Sequence, residues 1–329
     1  FGLSFVNLMQ QPIDPALFEP QRLAEYAQRL VLPWRREEGR LVLAVADPGP
    51  ETFAWARNLY GADVRFVGTS KFDIVWGLQQ QADAQLTHDA LNLLAEHAPE
   101  HSAKQVVTRR QVGSLCTLAA LLLLALAIWP VPTLVAINGV IGIAFMATFL
   151  LKFTLAWLGA RRRIDIKVTD AEVAALDDED LPVYTVLVPM YKEPDVLPIL
   201  ANALRRLDYP TSKLDVKLVL EADDVETIEA AKALGLEAFF EIIRVPPSQP
   251  KTKPKACNYA LQFARGQMLT IYDAEDKPEP DQLKRAVAAF RKSPADVACI
   301  QARLNYYNAD ENWLTRMFTL EYTLWFDFY

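Results

Sequence analysis

The stretch QMLTIYDAEDKPEPD, residues 267–281, opens with a short apolar run from Gln267 to Tyr272 and closes on three carboxylates, Asp273, Glu275 and Asp276. A short apolar run bounded by turn residues reads as a strand buried in a covered sheet. In an open α/β sheet, ligands bind where the carboxyl ends of the strands meet the following loops. An acidic cluster at that position is therefore a candidate site. Hard cations such as Mg²⁺ or Mn²⁺ take one or two carboxylates together with the phosphates of a bound nucleotide. The same residues also fit a solvated loop that caps the helix after Pro280, because Asp and Glu are favoured at helix N-termini. Taken alone, the stretch leaves both readings open.

Working outward, the chain from Ile164 onward alternates strand-like and helical segments. Strands are expected at 183–188, 216–220, 238–245, 267–272 and 297–304. Helices are expected at 195–207, 225–234, 254–264 and 280–291. Such alternation predicts an α/β domain with a mostly parallel sheet covered on both faces. Four of its strand ends carry polar clusters: Pro189-Met190-Tyr191-Lys192-Glu193-Pro194, Glu221-Ala222-Asp223-Asp224, Lys251-Thr252-Lys253-Pro254-Lys255, and the acidic stretch already quoted. Any one of them is adequately explained as a solvated loop. Four at one sheet edge are better explained by a crevice holding a nucleotide diphosphate between lysines and a metal.

Between Leu115 and Gly159 the only charged residue is Lys152. One straight helix over that span would be about 67 Å long, more than twice the hydrocarbon core of a bilayer. The chain must fold back, and Trp129-Pro130-Val131-Pro132-Thr133 supplies the break. Two crossings are predicted, near 113–130 and 134–159, within a membrane segment spanning 112–160. Lys104, Arg109 and Arg110 precede the hairpin and Arg161, Arg162 and Arg163 follow it, so both ends should face the cytoplasm. Lys152 is close enough to the second end to snorkel. A signal peptide is excluded because a folded segment precedes the run.

That segment, residues 1–81, reads as a small α/β domain with helices at 20–29 and 51–60, strands at 40–46 and 64–67, and a third helix capped by Ser70. Residues 82–111 read as a polar linker helix. The net charge of −7 argues against a nucleic-acid partner. Three scattered cysteines, Cys116, Cys257 and Cys299, form no disulfide framework or metal knuckle. Three histidines leave little material for zinc chemistry or a His-based triad. The chain begins at Phe1 and ends inside an aromatic run, so both ends are expected to continue.

The words VLVPMYKEPDVL, LVLEADD, TKPKACNYAL and YDAEDKPEPDQL resemble, in order and spacing, the processive membrane glycosyltransferases of family 2. These are relatives of cellulose and hyaluronan synthases, and the wording is most similar to exopolysaccharide synthases of the NfrB and XagB type. The segment FVNLMQQPIDPALFEPQRLAEYAQRLVLPWRREEGRLVLAVADP followed by VRFVGTS resembles the second half of the MshEN domain of secretion and pilus-assembly ATPases. The first resemblance implies a GT-A-like domain over 164–329 that inverts configuration while moving sugar from a UDP-sugar to a nascent polysaccharide, with Mg²⁺ or Mn²⁺ as cofactor. It implies that Tyr191 and Glu193 contact uridine, that Asp223 or Asp224 contacts uracil, and that Lys253, with Lys255 as its neighbour, lies near the diphosphate.

It further implies that Asp273 contacts the nucleotide sugar. The metal falls to Glu275 or Asp276, because this chain has Asp-Ala-Glu-Asp where the family has Asp-Xaa-Asp. The catalytic aspartate of the family has no counterpart between Gln301 and Tyr329 and is expected beyond Tyr329. The aromatic stretch 311–329 resembles the interface helices of the family, which lie against membrane lipid. Location in a bacterial inner membrane, an outer-membrane export partner, and control by cyclic di-GMP complete what the resemblances imply. Two competing expectations are a catalytically degenerate nucleotide-sensing or assembly module, and a non-processive transferase acting on a lipid carrier.

Overall fold

A computed structural model of the chain describes residues 2–161, 165–236 and 239–328. The chain divides into two compact units, residues 1–101 with 171–287 and residues 102–170 with 288–329.

The first unit opens with α1 (Leu23–Arg29), β1 (Val31–Glu37), β2 (Arg40–Val45), α2 (Pro50–Tyr60), β3 (Arg65–Gly68) and α3 (Lys71–His97). β1 pairs antiparallel with β2, and β2 pairs parallel with β3. Strand β1 is absent from the sequence expectations, because it contains Pro33 and ends on three charges. The edge position and a register shift between Pro33 and Arg35 accommodate the proline. Glu38 and Gly39, both at positive φ, turn the chain tightly into β2. Ser70 caps α3 in a reciprocal box with Asp73, and the buried Asp73 carboxylate also accepts the Leu8 amide at 3.2 Å. The helix continues through the expected boundary at 81 to His97, burying Ala82, Leu86 and Ala90. Residues 82–97 are thus a continuation of α3, not a separate helix, since neither Gly nor Pro interrupts them and their small and apolar residues have a surface to bury.

In the second unit, α4 (Arg109–Ile128) and α5 (Pro130–Arg161) are long and apolar enough to cross a membrane, with mean hydropathy 2.2 and 2.3, and their side chains are exposed. The break is one residue, Trp129, narrower than the five-residue break expected. Pro130 begins α5, where a missing amide donor costs nothing. The Trp129 amide donates to the Ala125 carbonyl at 2.8 Å, and Thr133 Oγ1 donates to the same oxygen at 3.1 Å. Arg162, Arg163 and Ile164 lie outside the described residues.

After α6 (Asp170–Ala174) the first unit resumes with β4 (Tyr184–Met190), α7 (Leu197–Arg205), β5 (Leu214–Glu221), α8 (Val225–Ala233), β6 (Glu241–Val245), α9 (Lys253–Leu261), β7 (Met268–Ile271) and α10 (Gln282–Lys292). The four strands are parallel, in the order β6-β5-β4-β7. β4 and β5 are almost wholly buried, β5 with the charged Asp215, Lys217 and Glu221 among its apolar residues, whereas β7, expected to be buried, lies at the sheet edge, half-buries Met268 and Thr270 and exposes Leu269 and Ile271. β4, β5 and β6 are laid down in one direction and β7 then crosses to the other side of β4. The reversal makes β4/β7 the topological switch point. The expected strand at 238–245 begins at Glu241, and Glu237 and Ala238 are outside the described residues.

Beneath the sheet, Lys217 is fully buried and bonds Asp215 at 2.9 Å and Glu241 at 2.7 Å, and Arg265 joins both carboxylates. Thr185 Oγ1 donates to Asp215 at 2.8 Å and accepts the Gly266 amide at 2.8 Å. Every strand of the sheet, or the residue leading into it, contributes to this knot.

The second unit closes with α11 (Trp313–Thr323) and a π-helical turn, Leu324–Phe328. Asn312 caps α11, whose Trp313, Leu314, Met317 and Leu320 are exposed. Lys152 lies 5.7 Å from the centre of the Trp325 ring. The strand expected at 297–304 is a correction: among the described residues these form no ladder, and a strand without a neighbour leaves its amides and carbonyls unpaired.

Candidate functional site

At the carboxyl ends of the parallel strands the polar clusters sort into two groups. On the β4–β5 side, Lys251 Nζ bonds both oxygens of Asp223, at 2.7 and 2.8 Å, and lies 3.8 Å from the centre of the Tyr191 ring. Lys192 Nζ approaches the same ring at 5.3 Å. The hydrogen bond from Lys251 holds the Asp223 carboxyl below its usual range, and this is opposed by partial desolvation. Burial disfavours the charge on Lys251, but its bonds to Asp223 and Tyr191 outweigh that and raise its pKa.

On the β4–β7 side, Lys253 forms an ion pair with Asp273. Glu275 follows Asp273 on the rim, and the Asp276 carboxylate accepts the Asp273 amide at 2.8 Å, closing the loop on itself. Glu193 and Asp276 both have raised pKa values, chiefly through burial and then through the charge of Glu275; Lys253 pulls both back down. That shared influence locates Glu193, Lys253, Glu275 and Asp276 in one electrostatic neighbourhood at the switch point.

Asp224 and Lys255 are placed differently from the rest. Asp224 is buried, caps α8 by accepting the Thr227 amide at 3.2 Å, and accepts the Lys192 amide at 2.6 Å. Lys192 itself stands at φ 58, a conformation uncommon for a residue with a side chain. Held by Asp224, that turn aims Tyr191 and Glu193 over the rim. Lys255 is buried, with Nζ 2.9 Å from Glu221 and 3.4 Å from the Pro246 carbonyl. Its charge is taken up below the rim, so Lys253 is the lysine of α9 that faces the open side. Sequence reasoning placed Glu221 in a polar cluster, two positions before the acidic pair that was singled out, without giving it a role, and it missed Lys251 as the partner of Asp223.

Whether the rim suits a divalent cation can be asked of the donors it offers. They are carboxylate oxygens, the hard ligands that Mg²⁺ and Mn²⁺ prefer. Burial, and then the neighbouring charge of Glu275, raise the pKa values of Glu193 and Asp276, and the positive charge of Lys253 opposes both shifts. Among the described residues no three His, Cys, Asp or Glu side chains converge closely enough to hold an ion alone. Such a donor set would suit an ion that shares its coordination with phosphates and water, with Glu275 or Asp276 as the candidate protein ligand.

The family model described as glycosyl transferase family 2 matches residues 185–329, and the MshEN domain model matches residues 1–88. The chain thus carries a family 2 glycosyltransferase domain behind an N-terminal MshEN domain. Among curated relatives, glucomannan 4-beta-mannosyltransferase 2 of Arabidopsis thaliana is 28% identical over 162 residues, covering 43% of this chain and 28% of that protein. A second Arabidopsis thaliana protein, "Probable glucomannan 4-beta-mannosyltransferase 15", is 28% identical over 149 residues, with 43% and 28% covered. The chain spans 28% of the length of these curated relatives. A solved structure, the mannosyltransferase PcManGT from Pyrobaculum calidifontis in complex with GDP-Man and Mn²⁺, is 27% identical, covering 46% of this chain and 43% of that one with a TM-score of 0.37.

Proposed function

We propose that this chain is the donor-binding part of a membrane-embedded polysaccharide synthase that transfers a sugar from a nucleotide sugar to a growing glycan with inversion. The observation that carries the reading is the meeting, at the β4/β7 switch point, of Lys253 from α9 with Asp273 from the β7 loop, which also carries Glu275. In the reaction the bond between the sugar's anomeric carbon and the diphosphate breaks, and the acceptor hydroxyl oxygen bonds that carbon from the opposite face. The hydroxyl proton passes to a general base, and the nucleoside diphosphate departs with the electron pair.

The residues in hand serve the donor half. Lys253, with the amides of the first turn of α9, faces the diphosphate, and the helix N-terminus adds favourable charge there. Tyr191 offers a ring for a base to stack on, and Asp223 offers acceptors for its edge. Glu193 and Asp273 hold the nucleotide and sugar hydroxyls. Glu275 or Asp276 would hold Mg²⁺ or Mn²⁺, which would supply neutralisation of the charge that develops on the leaving group. Asp224 and Lys255 act from beneath, keeping the Tyr191 turn and the start of α9 in place.

The exposed apolar helices α4 and α5 support anchoring in a membrane, and the resemblance to exopolysaccharide synthases of the NfrB and XagB type supports a bacterial inner membrane. The MshEN domain supports control by cyclic di-GMP. For the donor, the family words favour a UDP-sugar, and the similarity to glucomannan mannosyltransferases supports a mannosyl donor as a second reading. The complete protein in membranes, supplied with UDP-glucose, UDP-N-acetylglucosamine and GDP-mannose, should release nucleoside diphosphate from one of them and stop when EDTA removes the metal. Lys253→Ala should lower that rate at least about tenfold. A protein that turns over none of these donors yet binds cyclic di-GMP would be a sensing module and would sink the enzyme reading. Addition of one sugar only would rule out processive synthesis.

A further inference from the structure

The lysine-bearing segment of the rim runs from the end of β6 into α9, and its two flanks are gripped by one side chain from the N-terminal domain. Gln79, on α3, donates from Nε2 to the Arg244 carbonyl at 2.6 Å and to the Tyr259 hydroxyl at 3.1 Å. Arg244 lies in β6, before Lys251, Thr252 and Lys253; Tyr259 lies in α9, after them. Tyr259 then donates to Asp83 of α3 at 3.1 Å. Further along the seam, Asn258 donates to the Ala90 carbonyl at 3.1 Å and Gln262 to the Leu86 carbonyl at 2.8 Å. Around these bonds Tyr259 and Ala260 of α9, with Phe263 just beyond its end, share one buried apolar cluster with Leu78, Ala82 and Leu86 of α3.

These contacts are directional in a way that apolar packing is not. Each bond fixes a distance between a point on α3 and a point within the segment that carries the rim lysines. Four side chains committed to such bonds along one seam specify the register of α9 on α3. A site that stabilises charge works best when its donors are held before the ligand arrives, and small displacements at a distance weaken it.

We propose that Gln79 and Tyr259 are positioning residues for the nucleotide-sugar site, through which the N-terminal domain sets the placement of Lys251, Thr252 and Lys253. The proposal rests on the donor-site reading above. It also implies that any change in how α3 packs alters nucleotide affinity, and that nucleotide binding alters the packing of α3 by the same factor.

The test uses the full chain in lipid nanodiscs, titrated with UDP and with GDP in the presence of Mn²⁺. Gln79→Ala and Tyr259→Phe should each weaken binding of the preferred nucleotide about five- to tenfold, within the usual range of coupling between sites. In turnover with the sugar donor they should raise KM while leaving kcat nearly unchanged. Tyr26→Phe is the matched control: it loses a phenol bond of 2.7 Å to Tyr60 inside the N-terminal domain, in a fully buried position that does not belong to the seam. It should lower Tm without changing nucleotide affinity. Equal weakening by Tyr26→Phe would make the effect general instability and overturn the proposal. Unchanged affinity in Gln79→Ala and Tyr259→Phe, with binding still lost in Lys253→Ala, would overturn it and leave the donor site standing. A parent protein that binds neither nucleotide, or a Lys253→Ala variant that binds as the parent does, would overturn the site and this proposal together.

Discussion

Lys253 and Lys255 stand two positions apart in the first turn of α9, and they meet opposite environments. Residues i and i+2 of a helix lie on different faces, so one lysine points to the rim and the other into the sheet, where Glu221 receives it. Removing Glu221 leaves a buried ammonium without its counter-charge, and Glu221→Gln should destabilise the protein by about 3–5 kcal/mol in denaturant melts. Lys253→Ala removes an exposed pair and should change stability by no more than about 1 kcal/mol while it abolishes nucleotide binding. The choice between Glu275 and Asp276 also turns on partners. Asp276 already accepts the Asp273 amide, whereas Glu275 is exposed on the rim. Glu275→Gln should therefore raise the Mn²⁺ concentration for half-maximal activity at least about tenfold and more than Asp276→Asn does; a larger effect of Asp276→Asn would assign the ligand the other way. The place of these loops at strand ends was legible from the sequence. Which members face inward was not, apart from the helical i, i+2 clue at Lys253 and Lys255.

At the scale of elements, the parallel sheet is held from beneath by charge as well as by apolar contact. Asp215 and Lys217 alternate to the same face of β5, and Glu241 and Arg265 close the group around them. Burial opposes ionisation of Asp215, but Lys217 and Arg265 outweigh it and hold its pKa below the usual carboxylate range. A group whose pKa is lower when folded contributes its stability above the unfolded value, near 3.9 for aspartate, and loses it as pH falls through the folded one. Asp215→Asn should cost about 3 kcal/mol near neutral pH and flatten the acid limb of a stability-versus-pH curve; an unchanged acid limb would contradict the assignment. Gly266 is fixed by the same neighbourhood, since a Cβ there would lie 2.4 Å from the Thr185 amide nitrogen. Gly266→Ala should lower stability by about 1–3 kcal/mol. Apolar runs made β4, β5 and β7 legible, because parallel strands are buried on both faces or end at a turn. β1 was not legible through Pro33 and its charged end, and 297–304 read as a strand although among the described residues nothing pairs with it, because alternation reports one strand and a ladder needs two.

For the whole molecule, the apolar stretch was legible from composition, and the hairpin from its prolines. The continuity of α3 was not, because the polarity of 82–97 concealed the residues that α9 covers. α5 is 32 residues long, about 48 Å, which exceeds a bilayer core and implies tilt or extension beyond it. Placing Arg at Ile143, exposed near the middle of α5, should cost about 2.5–3.5 kcal/mol in a membrane-insertion assay, and insertion that is unaffected would argue that α5 does not span. The central claim is that the rim at the β4/β7 switch point holds a metal-bound nucleotide diphosphate. Photoaffinity labelling of the full chain with 5-azido-UDP and 8-azido-GDP, followed by peptide mapping, tests it most directly. Mn²⁺-dependent label is expected in peptides containing Tyr191 or Asp223, and should be lost in Lys253→Ala. Label confined to the N-terminal domain, or label in those peptides that ignores Mn²⁺ and Lys253, would contradict it.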